Sequence, residues 1–164
     1  MATTAQAANE FKVSSLDFSN NGLIPKEFTG EGKDQQPRLV WSNVSKETKS
    51  FALICDDPDA PKPQSPWVHW VVYNIPGDKR STDYIEQGKK QMVDGTLQGM
   101  NSWPHIGYNG PMPPKGHGTH HYYFKLYALD TLLPLKAGAT KAELLNAMKG
   151  HIIAQAEIVG LYAR

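Results

Sequence analysis

Alternation of apolar and polar residues predicts that most of this chain forms β-strands. The strongest signal is residues 68–75, a run of β-branched and aromatic residues that ends at Pro76 and Gly77. Weaker versions of the pattern predict four more strands, at residues 11–18, 38–42, 51–55 and 121–129. Residues 152–162 also alternate, and we predict a closing strand there, although a continued helix is the alternative.

Only one segment has the features of a helix. Thr140 and Glu143 have the spacing of a capping box, residues 142–148 are good helix formers, and Gly150 ends the segment. Many short strands with a single helix predict a mainly β, sandwich-like fold rather than a series of β-α-β units.

A long irregular segment separates the strands in the second half of the chain. Residues 88–118 contain seven glycines and four prolines in 31 positions, which excludes long regular elements. Irregular segments of this length in compact domains are usually functional or disordered. Trp103, Tyr108 and several histidines indicate a packed segment, and we therefore predict a functional one.

Length and charge exclude several classes of protein. The 164 residues suffice for one domain, which we place at residues 11–164 behind a flexible tail at residues 1–10. The formal net charge is +1, from 17 basic and 16 acidic residues. This balance argues against a nucleic-acid-binding protein and against a basic membrane-surface protein.

The single cysteine excludes an internal disulfide and a zinc site built from several thiolates. Cys55 lies in an apolar run, which predicts a buried thiol. No apolar run approaches the roughly 20 residues of a membrane-spanning helix. Residues 1–8 lack the apolar core of a signal peptide. We therefore predict a cytoplasmic protein, or a periplasmic or secreted one if these residues remain from a trimmed signal.

Three aspartates follow the predicted strand at residues 51–55 and form the first candidate site. Asp56, Asp57 and Asp59 are followed along the chain by His69, which stands in an apolar strand. A solvated turn and a satisfied core histidine would explain these residues without any function. The functional interpretation is that Asp57 or Asp59 accepts the ring N–H of His69 and fixes its orientation.

The second candidate site is the segment from Gly110 to Tyr122. Two prolines followed by glycines make a stiff turn and then a backbone whose N–H groups can approach an anion closely. His120 and Tyr122 alternate, so they share one face of the following strand and form a small anion pocket. His120 and His121 point to opposite faces, which disfavours a tight metal site, and we predict neither a metal nor a cofactor.

These motifs together resemble the phosphatidylethanolamine-binding protein family, in its bacterial Raf-kinase-inhibitor-like branch. The matching residues are Asp57-Pro58-Asp59-Ala60-Pro61, Trp67 with His69-Trp70, Gly110, Pro113-Pro114-Lys115-Gly116, Gly118, His120 and Tyr122. The order holds from about Ser14 to Tyr162, and the ending from Gly150 to Glu157 resembles the closing strand of the family. The resemblance implies two antiparallel sheets in a sandwich with one or two peripheral helices.

The resemblance also implies a ligand pocket near the surface that takes phosphate, acetate or a phosphorylated head group. Its residues would be Asp57, His69, Pro113 and His120, with Trp67 and Tyr122 on the wall and Gly110 beside them. A cis peptide bond before Pro61 or Pro66 and homodimers are further expectations from the family. Animal members of the family have a C-terminal helix after the last strand that lines the pocket, and we do not expect this helix here.

The function that we predict from these features is binding of a small anion, with regulation of a partner protein as a further role. Neither motif contains an arginine, so we expect weak affinity, and protonation of His69 or His120 should tighten binding as the pH falls. The alternatives are inhibition of a protein kinase or protease, and weak hydrolysis by the aspartate and histidine side chains. Because neither motif offers a serine or cysteine nucleophile, we expect a binding protein rather than an enzyme.

Overall fold

The computed structural model of the protein describes residues 10–164, and its core is a six-stranded sheet. The strands are β1 (Lys12–Ser15), β2 (Gly22–Leu23), β3 (Leu39–Ser42), β4 (Ser50–Asp57), β5 (Trp67–Pro76), β6 (Leu97–Gln98), β7 (His120–Leu129) and β8 (Ile152–Tyr162). The large sheet has the order β2-β8-β7-β4-β5-β6, and β1 and β3 form a separate antiparallel pair. All pairs are antiparallel except β2 with β8.

The mainly β fold predicted from the sequence is confirmed. The closing strand β8 is present, and the helix α1 (Lys141–Met148) begins at the predicted capping box, in which Thr140 and Glu143 bond to each other's main-chain N–H. The strand predicted at residues 11–18 is limited to the four residues of β1. Two elements that were not predicted, β2 and β6, have two residues each, and a short 3₁₀ helix spans Lys26–Phe28.

Both faces of the central strand β4 are covered, which explains why all eight of its residues are buried. Phe51, Leu53 and Cys55 belong to the larger core cluster, which includes the β1–β3 pair. Their neighbours Ala52 and Ile54 point the other way, into a second cluster closed by the helix α1. Cys55 is buried as predicted, and burial raises the pKa of its thiol well above the usual value.

The register of the strands brings three distant parts of the chain to one end of the sheet. β4 ends at Asp56 and Asp57, where Asp57 pairs with Trp67 at the start of β5. On its other side, Asp56 pairs with Tyr123 near the start of β7. Because both neighbours run antiparallel to β4, its last residues lie beside their first ones. The two candidate motifs of the sequence therefore meet there.

Three further predictions concern the peptide bonds before proline, membrane-spanning helices and the N-terminal tail. The peptide bond before Pro66 is cis, as are those before Pro63 and Pro104. Among residues 10–164, no helix combines the length and the hydrophobicity that a membrane span requires. The predicted flexible tail lies outside the described residues, apart from residue 10.

Candidate functional site

A cavity of about 440 Å³ opens where β4 ends and β5 and β7 begin. Six of the seven residues predicted for the ligand site line it, namely Asp57, Trp67, His69, Pro113, His120 and Tyr122. Six further lining residues were not predicted, namely Ala60, Pro61, Gln64, Trp103, Met112 and Pro114. The structure therefore brings the two motifs together in one cavity.

Strand alternation directs the side chains of β5 and β7 into this cavity. Trp67 and His69 are two residues apart on β5, and His120 and Tyr122 are two residues apart on β7. His120 and Tyr122 are each 1% exposed, whereas His121 between them faces outward and is half-buried. The positions predicted to share a face of β7 do so.

Asp57, His120 and His117 form a hydrogen-bonded chain that runs from the buried floor of the cavity to its surface. Asp57 Oδ2 accepts from His120 Nδ1 at 2.6 Å, and His120 Nε2 lies 2.6 Å from Nδ1 of the exposed His117. A carboxylate only accepts, so His120 Nδ1 carries a proton. Between the two imidazoles one proton must be shared, since two facing lone pairs or two facing N–H groups would repel each other.

The prediction that Asp57 or Asp59 orients His69 is wrong. Asp57 bonds to His120, and Asp59 Oδ2 accepts from Nδ1 of His121 at 2.7 Å and from its main-chain N–H at 2.8 Å. At the end of β4 and just after it, the aspartates meet the first residues of β7, because the antiparallel register places them there. His69 instead donates from Nδ1 to the main-chain carbonyl of Asn109 at 2.6 Å.

Burial keeps the His69 ring neutral. The side chain is 2% exposed, and this burial lowers the pKa of His69 from 6.5 to about 4. The main-chain groups of Asn109 and Gly110 and the charge of Asp56 oppose the effect without reversing it. The low pKa of His69 therefore contradicts the expectation that its protonation tightens binding near neutral pH.

The other two titratable groups of the cavity are also shifted by burial. Burial raises the pKa of Asp57, although the hydrogen bonds from His120 and from the Asp59 N–H oppose the change. Burial likewise raises the pKa of Tyr122 far above neutral, so its hydroxyl remains a hydrogen-bond donor. Within residues 10–164 that hydroxyl makes no hydrogen bond, and it is not among the unpaired polar atoms that are sealed from solvent.

The walls of the cavity are aromatic and apolar. Trp67 and Trp103 meet edge to face with ring centroids 5.4 Å apart, and Trp103 lies 5.0 Å from the His69 ring. Met112 is 43% exposed at the rim. The glycine- and proline-rich composition indicates that the segment holding Trp103 and Met112 is functional, but nothing local indicates that these two residues line the same cavity as His69.

Gly110 does not line the cavity but supports it from behind. Its N–H donates to Asp34 Oδ1 at 2.7 Å, and a Cβ at this position would lie 2.3 Å from the main-chain oxygen of Phe28. Only glycine allows this close approach of the two backbones. The packing fixes the adjacent Asn109, whose carbonyl holds His69.

The cavity contains no lysine or arginine among its described lining residues. Arg164 contacts one lining residue from outside, since its Nε donates to the carbonyl of Pro113 at 2.6 Å. Within residues 10–164 no three His, Cys, Asp or Glu side chains are grouped so that they could hold a metal ion. Any charge on a bound anion would therefore be met mainly by hydrogen bonds and by the shared imidazole proton.

Comparison with known proteins identifies this arrangement with one family. The family model described as phosphatidylethanolamine-binding protein matches residues 14–163. Relatives named UPF0098 protein are 46% identical in Methanothermobacter thermautotrophicus and 49% identical in Pyrococcus horikoshii. These matches cover 90% and 93% of this chain, and 95% and 76% of the two relatives.

Two solved structures have the same fold. A phosphatidylethanolamine-binding protein homolog from Chlamydia trachomatis is 40% identical with a TM-score of 0.83, over 95% of this chain and 99% of the other. YbcL of Escherichia coli, described as a member of the mammalian family, is 34% identical with a TM-score of 0.83 over 94% and 99%. These matches confirm the resemblance seen in the motifs.

Proposed function

The chain belongs to the phosphatidylethanolamine-binding protein family, and on this premise we propose that its cavity binds a small phosphorylated or carboxylate anion. The observation on which this rests is the buried Asp57–His120 pair, with 2.6 Å between Asp57 Oδ2 and His120 Nδ1. Because Asp57 stabilises a positive charge on the ring, His120 Nε2 can donate a charge-assisted hydrogen bond.

The anion would take the position that His117 Nδ1 now occupies at His120 Nε2. His117 lies in an exposed loop between Gly116 and Gly118, which have φ angles of +76° and +88° and nothing near their Cβ positions. The side chain can therefore move aside without disturbing the core. The Tyr122 hydroxyl supplies a second donor, since it has no partner among the described residues.

The Asp57 carboxylate does not exclude an anion from this cavity. Its Oδ1 accepts from the Asp59 N–H at 2.8 Å and its Oδ2 accepts from His120, so protein donors already compensate its charge. Hydrogen bonds that involve a charged group contribute about 1.5–3 kcal/mol each. Two or three such bonds with no lysine or arginine predict weak binding, and Trp67 and Trp103 would contact an organic part of the ligand.

Titration with sodium phosphate and sodium acetate tests this function, with amide chemical shifts and tryptophan fluorescence as readouts. Tyr122→Phe is the sharpest variant, because its hydroxyl makes no hydrogen bond to the described protein and the fold should be unaffected. We expect saturable binding that weakens about tenfold in Tyr122→Phe and in His120→Gln. The control is His151→Gln, which changes a partly exposed histidine that lies outside the cavity and pairs with Asp130.

Equal affinity in wild type, Tyr122→Phe and His120→Gln would contradict the proposal. So would chemical-shift changes that map to residues outside the cavity, or the absence of saturable binding. Circular dichroism spectra of the three variants establish that each is folded before affinities are compared.

Weak hydrolysis is a second candidate function, because a carboxylate–imidazole pair can act as a general base toward water. Turnover of 4-nitrophenyl acetate or 4-nitrophenyl phosphate that disappears in His120→Gln and persists in His151→Gln would support it. Regulation of a partner protein, inhibition of a kinase or protease, and homodimer formation stay predictions from the resemblance.

A further inference from the structure

We propose that His69 makes the cavity selective for oxyanions that carry a hydrogen atom, and so for inorganic phosphate and phosphate monoesters over sulfate and phosphate diesters. This inference rests on the proposed function of the same cavity and specifies its ligand class. It assigns His69 a role in specificity that differs from the anion-donor role of His120.

The first step is the tautomer of His69. Its Nδ1 lies 2.6 Å from the carbonyl oxygen of Asn109, and because a carbonyl only accepts, Nδ1 must carry the proton. A second proton on Nε2 would place a charge in a side chain that is 2% exposed. In the neutral ring Nε2 therefore presents a lone pair.

The surroundings of the ring do not reverse this assignment. The titratable groups that act on His69 are Asp56 of β4 and His120 of β7, and Tyr122 of β7 lies edge to face with its centroid 5.0 Å away. Trp103 covers another side of the ring. The carboxylate of Asp56 bonds to Lys141 at 2.5 Å, which compensates its charge.

The second step is what Nε2 faces. Within residues 10–164 the hydrogen bond of the ring with a defined geometry is the one from Nδ1 to Asn109, and the main chain of Gly110 is the other backbone group that acts on the ring. Nε2 is not among the polar side-chain atoms that are both sealed from solvent and unpaired. Since the side chain lines the cavity and is otherwise enclosed, Nε2 faces the cavity. An acceptor in this position needs a donor on the ligand.

The third step compares the hydrogen-bond donors and acceptors of the candidate ligands. Near neutral pH inorganic phosphate always carries one or two hydrogens, and the monoanion of a phosphate monoester carries one. Sulfate and phosphate diesters carry only acceptor oxygens, so one of these oxygens would face the Nε2 lone pair. Leaving a buried acceptor against another acceptor disfavours the wrong ligand by about tenfold or more. The Tyr122 hydroxyl and His120 serve the remaining oxygens of either ligand.

The test is a titration of the whole chain at pH 6 with five probes. These are inorganic phosphate, methyl phosphate, dimethyl phosphate, sulfate and glycerophosphoethanolamine, a phosphate diester that is the head group of a phospholipid. We expect inorganic phosphate and methyl phosphate to bind about tenfold or more tightly than the other three. Nitrogen-15 spectra should show Nε2 of His69 without a proton, and its signal should shift with phosphate but not with sulfate.

His69→Gln provides the matched variant, because a glutamine amide can turn an N–H toward the ligand. The ratio of phosphate to sulfate affinity should fall toward one in His69→Gln and stay unchanged in His151→Gln. If His69→Gln does not fold, the nitrogen-15 measurement on the wild-type chain decides the question. A proton found on Nε2 in the free protein would overturn the inference.

The remaining outcomes separate this inference from the proposed function. Sulfate that binds as tightly as phosphate, with both weakened in Tyr122→Phe, would overturn the selectivity and leave anion binding intact. Glycerophosphoethanolamine that binds as tightly as inorganic phosphate would overturn the assignment to monoesters, because the ammonium group would then be the donor to Nε2. No saturable binding of any probe would overturn both proposals.

Discussion

The buried histidine His69 should make the stability of the protein depend on pH in a defined window. Its pKa is about 4 in the folded chain and 6.5 when exposed. Above pH 6.5 the ring is neutral in both states, and its contribution to the free energy of unfolding is complete. As the pH falls from 6.5 to 4, the unfolded chain takes up a proton that the folded chain does not, and the contribution is lost.

The size of the effect follows from the same two values. A tenfold change in proton affinity corresponds to about 1.4 kcal/mol, so a pKa lowered from 6.5 to about 4 amounts to about 3 kcal/mol. The steepest loss is about 1.4 kcal/mol for each unit of pH within the window. This is a large fraction of the total stability of an ordinary domain.

Urea unfolding at a series of pH values from 8 to 4 measures this contribution, with far-ultraviolet circular dichroism as the signal. The variant is His69→Gln, and His151→Gln controls for the loss of a partly exposed histidine. Wild type and His69→Gln share all their other titrating groups, so the difference in the free energy of unfolding between these two chains isolates residue 69. That difference should shrink by about 3 kcal/mol between pH 7 and pH 4.

A difference that stays constant across this range would refute the reasoning. It would mean that His69 takes up its proton equally in the folded and unfolded states. Nuclear magnetic resonance gives a direct check, because the ring signals of His69 should not shift between pH 8 and pH 5.

Three further substitutions test the support of the site and of the fold, each by urea unfolding at pH 7. Gly110→Ala forces a methyl group against a main-chain oxygen 2.3 Å away and should cost about 1–3 kcal/mol or more. Lys141→Met removes the 2.5 Å ion pair to the buried Asp56 but leaves Lys125 Nζ 3.5 Å from its other oxygen, and should cost about 1.5–3 kcal/mol. Lys46→Met, at an exposed position, should change little. Thr140→Ala removes the capping box of α1 and should cost about 1 kcal/mol. If any of these three variants has the same free energy of unfolding as wild type, the structural role given to the substituted residue is wrong.

Local patterns in the chain sufficed for the elements whose causes are local. The strand β5 was predicted because its residues are continuous, apolar and β-branched, and α1 because a capping box spans four positions. The two-residue strands β2 and β6 were missed, since two residues cannot show a period. They exist because neighbouring strands pair with them.

The residue types of the candidate site were also visible in the sequence. Asp57, His69 and His120 stood out because carboxylates and imidazoles in or beside apolar strands require an explanation. Their shared cavity was expected only through the resemblance of the motifs to a family. Spacing along one chain does not determine which distant segments become neighbours.

Only the tertiary structure decided which carboxylate meets which imidazole. Asp57 bonds to His120 and Asp59 to His121 because strand pairing, a long-range property, sets the partners at the end of β4. His69 bonds to a main-chain carbonyl instead, and enclosure by distant segments removes the solvent that would stabilise its charge. The sequence by itself determined the groups available at the site, while packing determined their protonation and direction.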